Sequence, residues 1–376
     1  MKSSVVELYK NDNLKIYNKS LGIVFNGHDN MKPTIIENMI DASPTAVQCA
    51  DINQSFLSGG GFTEPTNINI SGDFWEDYYP NDLLFDVSES CSRHKGAFIH
   101  INYNANFEKE NFKVIPYTLC RLGKEDSKDY IGKILVSPNG WGKQLKKAEI
   151  DIIDVYNPRP EVIQAQVEKA GGWENYKGQI IYFKFSKKYL YAKSPLETSY
   201  KFANVEDSMG DFYSTTVHRS FNDVMMFRHR KFPSSVEENA FRGDAKKVMG
   251  SDGSASVWMV EDDWDDEGKS VGNIKVEKLS TETRSEKYKH FEESSANFIR
   301  KAWKIPQILV DAEEGKMGNS SGESLSVACD IYNRTTLNDR QKLSRLFKEL
   351  FWNFREQIEK DWEIIPFTYG NGSTNK

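Results

Sequence analysis

The chain has 376 residues and a formal net charge of −6, so as a whole it does not attract nucleic acid, which needs clustered Lys and Arg to neutralise phosphates. At 38% hydrophobic and 12% aromatic it can bury real cores in one large or several smaller domains. No long apolar window exists and the first twenty residues lack the apolar core of a signal peptide, which argues against membrane insertion and secretion and makes the cytoplasm the expected compartment. Cys49, Cys91, Cys120 and Cys329 are far apart in sequence with no CxxC pair, so free, buried thiols are expected rather than disulfides or a zinc knuckle.

Residues 1–40 carry apolar positions without clear period and read as irregular or partly stranded. Ser43-Pro44 opens a helix with Val47, Ala50, Ile52, Phe56 and Leu57 on one side, stopped by Gly59-Gly60-Gly61. No Gly-Lys-Ser/Thr follows the glycines, so a helix stop is favoured over a phosphate loop. A second helix, Asp82 to Gly96, precedes the first strong alternation, Ala97–Tyr103. A turn at Asn104–Asn106 leads to strands Phe112–Tyr117 and Ile131–Val136, then Ile150–Tyr156, Gln179–Phe185 and Tyr189–Tyr191. Together they predict a meander with one polar face, plus a short helix at Glu161–Ala170 ended by Gly171-Gly172. The fold class is α+β.

The centre of the chain, Tyr191–Gly250, predicts a helical hairpin. Pro195 suits a first helical turn, and Val205, Met209, Phe212, Thr216 and Val217 follow at three- and four-residue steps. The run Met225–Pro233 breaks the period, and Ser234-Ser235 with Glu237-Glu238 starts a second helix to about Met249. That arm offers only Val236, Ala240, Phe241 and Val248 for burial, so the hairpin needs neighbours, which identical copies around a ring would supply. Beyond it, Ser256–Val260 and Asn273–Leu279 read as strands flanking an acidic tip, Glu261–Glu267, whose six carboxylates in seven positions favour a solvated loop. Tyr288, Phe291, Ser295, Phe298, Ala302 and Ile305 predict a helix stopped by Pro306. Asp311–Gly322 reads as a mobile linker. The strongest helix signal runs from Leu343 to Trp362, and the tail after Tyr369 is disordered by composition.

Signals for chemistry are few. The six histidines are dispersed, and HExxH, GxSxG and Walker patterns are missing, so no catalytic or metal-binding residues are assigned and no cofactor is expected. His94 and His100 are weighed as a pair that could meet a carboxylate and set aside as structural. The acidic tip lacks the ligand spacing of a calcium loop. Arg228, His229, Arg230 and Lys231, flanked by Phe227 and Phe232, suit nucleic acid through charge and stacking or an acidic protein partner, the latter slightly favoured.

Four passages in this order resemble the portal proteins of tailed bacteriophages, in the compact form of long-tailed phages. They are GAFIHINYNANFEKENFKVIPYTLCRL (Gly96–Leu122), SPLETSYKFANVEDSMGDFYSTTVHRSFND (Ser194–Asp223), SEKYKHFEESSANFIRKAWKIPQILV (Ser285–Val310) and SGESLSVACDIYNRTTLNDRQKLSRLF (Ser321–Phe347). Lys304-Ile305-Pro306 departs from the family's usual closing turn. The resemblance implies a wing in 1–193 and 251–310, stem helices at 194–219 and 236–250, a clip at 220–235, and a C-terminal wing or crown helix and tail in 311–376. It implies a clip (Arg228, His229, Arg230, Lys231) that docks terminase and adaptor, subunit packing through Met209, Phe212, Thr216 and Phe241, and a tunnel loop at Ser280, Thr281, Glu282 and Thr283. It further implies a ring of about twelve copies in the virion, assembled in the host cytoplasm and conducting double-stranded DNA without sequence specificity. Its partners would be the terminase large subunit, the head–tail adaptor and the major capsid protein, with no membrane and no enzymatic activity. Met225–Phe227 could instead be a strand shared between neighbouring subunits. Alternative readings are another virion or assembly protein of adaptor type, or, with least support, a metal-dependent nuclease.

Overall fold

A computed structural model of the chain describes residues 17–18, 21–64, 66–71, 75–125, 131–142, 147–218, 225–229, 234–236, 238–240, 257–261, 282–310, 321–358 and 360–368. They belong to two compact units, one made of Met1–Ala203 with Ala296–Lys376, the other of Asn204–Ser295. The fold is α+β, and its largest sheet lies in the first unit.

The first unit begins with a small antiparallel pair, β1 (Tyr17–Asn18) and β2 (Ile23–Val24). Helix α1 (Lys32–Ala42) follows with Pro33 in its first turn and buries Ile36, Met39 and Ile40, which corrects the reading of this stretch as irregular or stranded. In α2 (Pro44–Ser58) the Ser43 hydroxyl accepts from the Ala46 N–H at 3.2 Å, the N-cap bond that the Ser-Pro start implies. Helix α3 (Pro80–His94) is fixed at its start by the Asp82 carboxylate, which accepts from the Tyr79 N–H at 2.9 Å. It ends on Lys95 in the left-handed region at φ 58°. Gly96, expected as the stop, instead starts the next strand, where a Cβ would lie 2.8 Å from the Phe183 carbonyl oxygen.

Six strands form one sheet in the order β4-β3-β8-β7-β6-β5: β3 (Gly96–Tyr103), β4 (Lys109–Ile115), β5 (Cys120–Leu122), β6 (Lys133–Val136), β7 (Asp151–Val155) and β8 (Gln179–Lys184). It is not a pure meander. β7 and β8 pair in parallel, and the connection that parallel pairing requires is made by α4 (Pro160–Ala170). Nor does β3 have a polar face throughout, since its first four residues are all buried. Ala97, Ile99 and Ile101 meet Leu83, Leu84 and Val87 of α3 in one core cluster. Phe98, one step out of phase, joins Ile134, Ile153 and Ile180 in another, as the period of two demands. Tyr189–Tyr191 is not a strand: the carbonyls of Tyr189 and Leu190 accept from the Lys184 ammonium instead of a neighbouring strand.

After a short turn at Pro195–Thr198, where Ser194 and Glu197 make a reciprocal capping box, helix α5 (Tyr200–His218) leaves this unit. The chain returns along α6 (Glu282–Trp303). Among its residues of described burial, Ser295, Ile299 and Trp303 are buried, whereas Phe291 and Phe298 of the expected stripe are 55% and 46% exposed. Two overlapping stripes compete in this sequence, and the one carrying Trp303 is buried, with the indole N–H donating to the Ser92 carbonyl at 3.0 Å. Helix α7 (Ser321–Phe351) takes in Ser321 and Gly322, read as linker, and ends before Trp362. Asn353 turns the chain at φ 55°. Phe354 and Trp362 then fold back onto Phe351 and share its core cluster, so their apolar periodicity reflects burial rather than helix.

In the second unit, β9 (Met225–His229) pairs in parallel with β10 (Val257–Glu261). Residues 235–236 and 238–240 are helical, where the second arm was expected to start. The acidic tip beyond Glu261, the strand at Asn273–Leu279, the linker through 320 and the tail after Tyr369 lie outside the described residues.

Candidate functional site

The residues singled out from sequence are partly placed. Met209 is half-buried on α5, and Phe212 and Thr216 belong to the same helix. Arg228 and His229 stand on β9 in register with Val260 and Glu261, so Met225–Phe227 does form a strand, with its partner inside this chain. Glu282 and Thr283 form the start of α6 and are not loop residues: the helix begins one or two turns before the apolar period that marked it. Arg230, Lys231, Phe241, Ser280 and Thr281 lie outside the described residues. Among the described residues no cluster of His, Cys, Asp and Glu is arranged to hold a metal, and no helix is long and apolar enough to cross a membrane.

What distinguishes the second unit is how little its long helices bury. Past Ala203, no residue of α5 whose exposure is described is buried, and the same holds for α6 from Lys289 to Ser294. Isolated helices are marginal in water and draw most of their stability from packing.

Among the described residues of the first unit, the histidine that meets a carboxylate is His94. Its Nε2 is 2.6 Å from Glu37 Oε2 and its ring stacks on Tyr117 at 4.5 Å. Arg93 donates to Glu37 and Asp41, both at 2.7 Å, and lies 4.0 Å from Glu89. This network borders a cavity of about 290 Å³ shared with Asp86, Tyr117 and Thr118. It ties α1 to α3. His100 is not part of it: its Nε2 bonds the Lys177 carbonyl at 2.7 Å, and burial holds the imidazole below its usual value. Burial works to raise the Glu37 carboxyl, but His94 and Arg93 outweigh it, and Glu37 sits below the ordinary 4.5. A carboxylate depressed on folding stabilises the protein fully above its unfolded value and loses that contribution as pH falls through the folded one. Wild type should therefore exceed Glu37→Gln in denaturant midpoint at pH 6, with the gap closing as pH falls below the ordinary 4.5. A gap independent of pH would show that Glu37 acts through packing alone.

Sequence reasoning passed over three buried cations. Lys109 Nζ donates to the Glu349 carbonyl at 2.6 Å and lies over the Tyr156 and Trp352 rings, and burial lowers it to about 8. Arg340 donates to the Phe56 carbonyl and to Thr336 Oγ1. Arg121 is fully buried. The available signal was an Arg inside an apolar strand, Cys120-Arg121-Leu122.

No family profile matches the chain, and no curated protein is similar to it in sequence. Its structure is similar to a chain in the neck of the empty gene transfer agent particle (9% identity, 90% of this chain and 85% of that one, TM-score 0.49). It is also similar to one in the virion of the native gene transfer agent particle (8% identity, 84% and 80%, TM-score 0.48). A third likeness is to an HK97 family phage portal protein from Corynebacterium diphtheriae (9% identity, 77% and 83%, TM-score 0.37).

Proposed function

We propose that the chain is a portal-type subunit. About twelve copies would close a ring at one vertex of a phage capsid, pass double-stranded DNA during packaging and ejection, and dock the terminase large subunit and the head–tail adaptor. One observation carries the reading: a separate compact unit, Asn204–Ser295, is inserted within the sequence of the larger one and entered along a barely buried helix. That order is what the four sequence passages resembling portal proteins imply, with a wing interrupted by stem and clip. A net charge of −6 per chain, repeated around a ring, would keep duplex DNA from adhering to the assembly, and sliding requires such weak attraction. The protein acts by geometry and not by catalysis, in the virion after assembly in the host cytoplasm and in contact with the major capsid protein.

Electron microscopy of the purified protein in negative stain tests the reading directly. Rings of about twelve copies with an open centre are expected; a monomer at micromolar concentration would overturn the proposal. The basic segment is proposed to form the motor-docking surface. Substituting Arg228, His229, Arg230 and Lys231 together by Ala should weaken terminase binding at least about tenfold, as loss of several charge-assisted contacts does, while rings persist. Unchanged terminase and adaptor affinities would remove this role.

A further inference from the structure

Strand β4 is one edge of the six-stranded sheet, and its outer side is only partly covered. The Phe112 N–H turns away from β3 and donates to the Ile70 carbonyl at 3.4 Å. The ladder to β3 runs unbroken from Asn111 to Ile115, and in an antiparallel ladder alternate residues turn their N–H and C=O to the same side. Val114 therefore presents both groups outward, and among the described residues no hydrogen bond outside the ladder reaches them. The opening is short. Ile70 occupies it at Phe112, while at the other end Pro116 has no N–H and its carbonyl accepts from Leu119 at 3.0 Å. What remains is a slot for one residue's pair of backbone hydrogen bonds.

The side chain of that residue has a fixed destination, because residues directly opposite in a sheet point to the same face. Val114 stands opposite Ile99 and packs against the core cluster that Ile99 shares with Leu84 and Val87 of α3. An added residue would point the same way, toward α3. On that side lies the cavity of about 290 Å³, with Val114, Pro116 and Tyr117 as apolar wall and Glu37, Asp86 and Glu89 as its carboxylates. Arg93 and His94 are engaged with Glu37, and Asp86 accepts from the Tyr78 hydroxyl at 2.6 Å. Among the described residues Glu89 has only Arg93, at 4.0 Å, and its side chain is 55% exposed. The cavity thus combines an apolar wall with an excess of negative charge. A lysine or arginine fits both, its stem on the wall and its head at the carboxylates.

We propose that this slot docks an extended segment of a partner protein that carries lysine or arginine opposite Val114. The segment adds one rung to β4, and its cation enters the cavity toward Glu89. Main-chain pairing at the sheet edge holds the segment, and the cavity selects its side chain.

Fluorescence anisotropy of dye-labelled, end-blocked pentapeptides with the full chain tests the slot. TVKVT, whose Thr and Val favour the extended state, should bind at least about tenfold tighter than TVLVT, and Glu89→Gln should remove most of that preference. Val114→Pro deletes the outward N–H at an edge position, where proline is tolerated. N-methylation of the peptide's lysine amide deletes the reciprocal donor. Each should abolish binding although no charge changes; if circular dichroism shows that Val114→Pro does not fold, the N-methylated peptide decides alone. No saturable binding of TVKVT, equal affinity for TVLVT, or binding that survives N-methylation would overturn the proposal, the last by revealing plain charge attraction to an acidic chain. Rings that disperse in a folded Val114→Pro chain would give the slot to a second copy and overturn the partner-protein assignment.

Discussion

Arg121→Met should lower stability by about 2–4 kcal/mol, because the change strands several buried acceptors at about 1–3 kcal/mol each while relieving part of the cost of a buried charge. The guanidinium donates to Asn30 Oδ1 and to the Asn30 carbonyl, both at 2.6 Å, to the Cys120 carbonyl at 2.7 Å and to the Thr118 carbonyl at 2.9 Å. It also lies over the Trp141 ring at 5.3 Å. Its hydrogen-bond partners are thus oxygens of carbonyl type, and burial lowers its pKa to about 10. The cation serves as a multiple donor that joins the loop before α1 to the β5 edge of the sheet. Arg121→Lys keeps the charge but loses the planar fork, so it should recover less than half of the loss. Denaturant midpoints at constant m-value give the measurement. A midpoint unchanged in the Met variant would mean that water replaces the guanidinium without penalty.

Gly59→Ala should be at least as damaging, at about 3–5 kcal/mol when backbone strain and overpacking each cost about 1–3 kcal/mol. Gly59 has φ 54° and ψ −137°, a conformation open to glycine and hostile to a side chain. An added Cβ would sit 1.8 Å from the Ile365 carbonyl oxygen, and backbone cannot swing aside as a flexible side chain can. Ile365 would have to withdraw, taking with it the Gly60 N–H bond to its carbonyl and its own N–H bond to Gly61, both 2.9 Å. Gly140→Ala is the control, with φ 78° and nothing within 4 Å of the new methyl group, so it should cost only about 1 kcal/mol. Proteolysis should cut behind Trp362 in the Gly59 variant and not in the control. Equal stability of the two variants would refute the close approach.

The triple glycine also shows which parts of the fold could be read in advance. Its role as helix stop was legible, because a glycine after the last apolar residue is a local signal; the approach of Ile365 was not, since a partner some three hundred positions away leaves no local mark. The same division runs through the molecule. The Ser43 cap and the alternation in β3 act over a few residues and were readable. The β7–α4–β8 crossover depends on pairing that periodicity does not encode, and α6 offered two stripes of similar strength. At the candidate site the strand character of Val257–Val260 was visible in its own residues. Its parallel partnership with Met225–His229 was not, and that pairing is what makes part of the expected basic loop a strand.

The last described segment of the chain has a consequence for the order of events during synthesis. Leu343, Phe347, Phe351, Trp362 and Ile364 belong to the same core cluster as Leu57, Leu83 and Ile99, yet they leave the ribosome well after those partners. The sheet and α1–α3 emerge with that side of their core uncovered, and the whole of Asn204–Ser295 is translated before the cover arrives. Nascent chains therefore carry an open apolar face throughout the synthesis of the intervening residues, which is the stage at which a chaperone has something to hold.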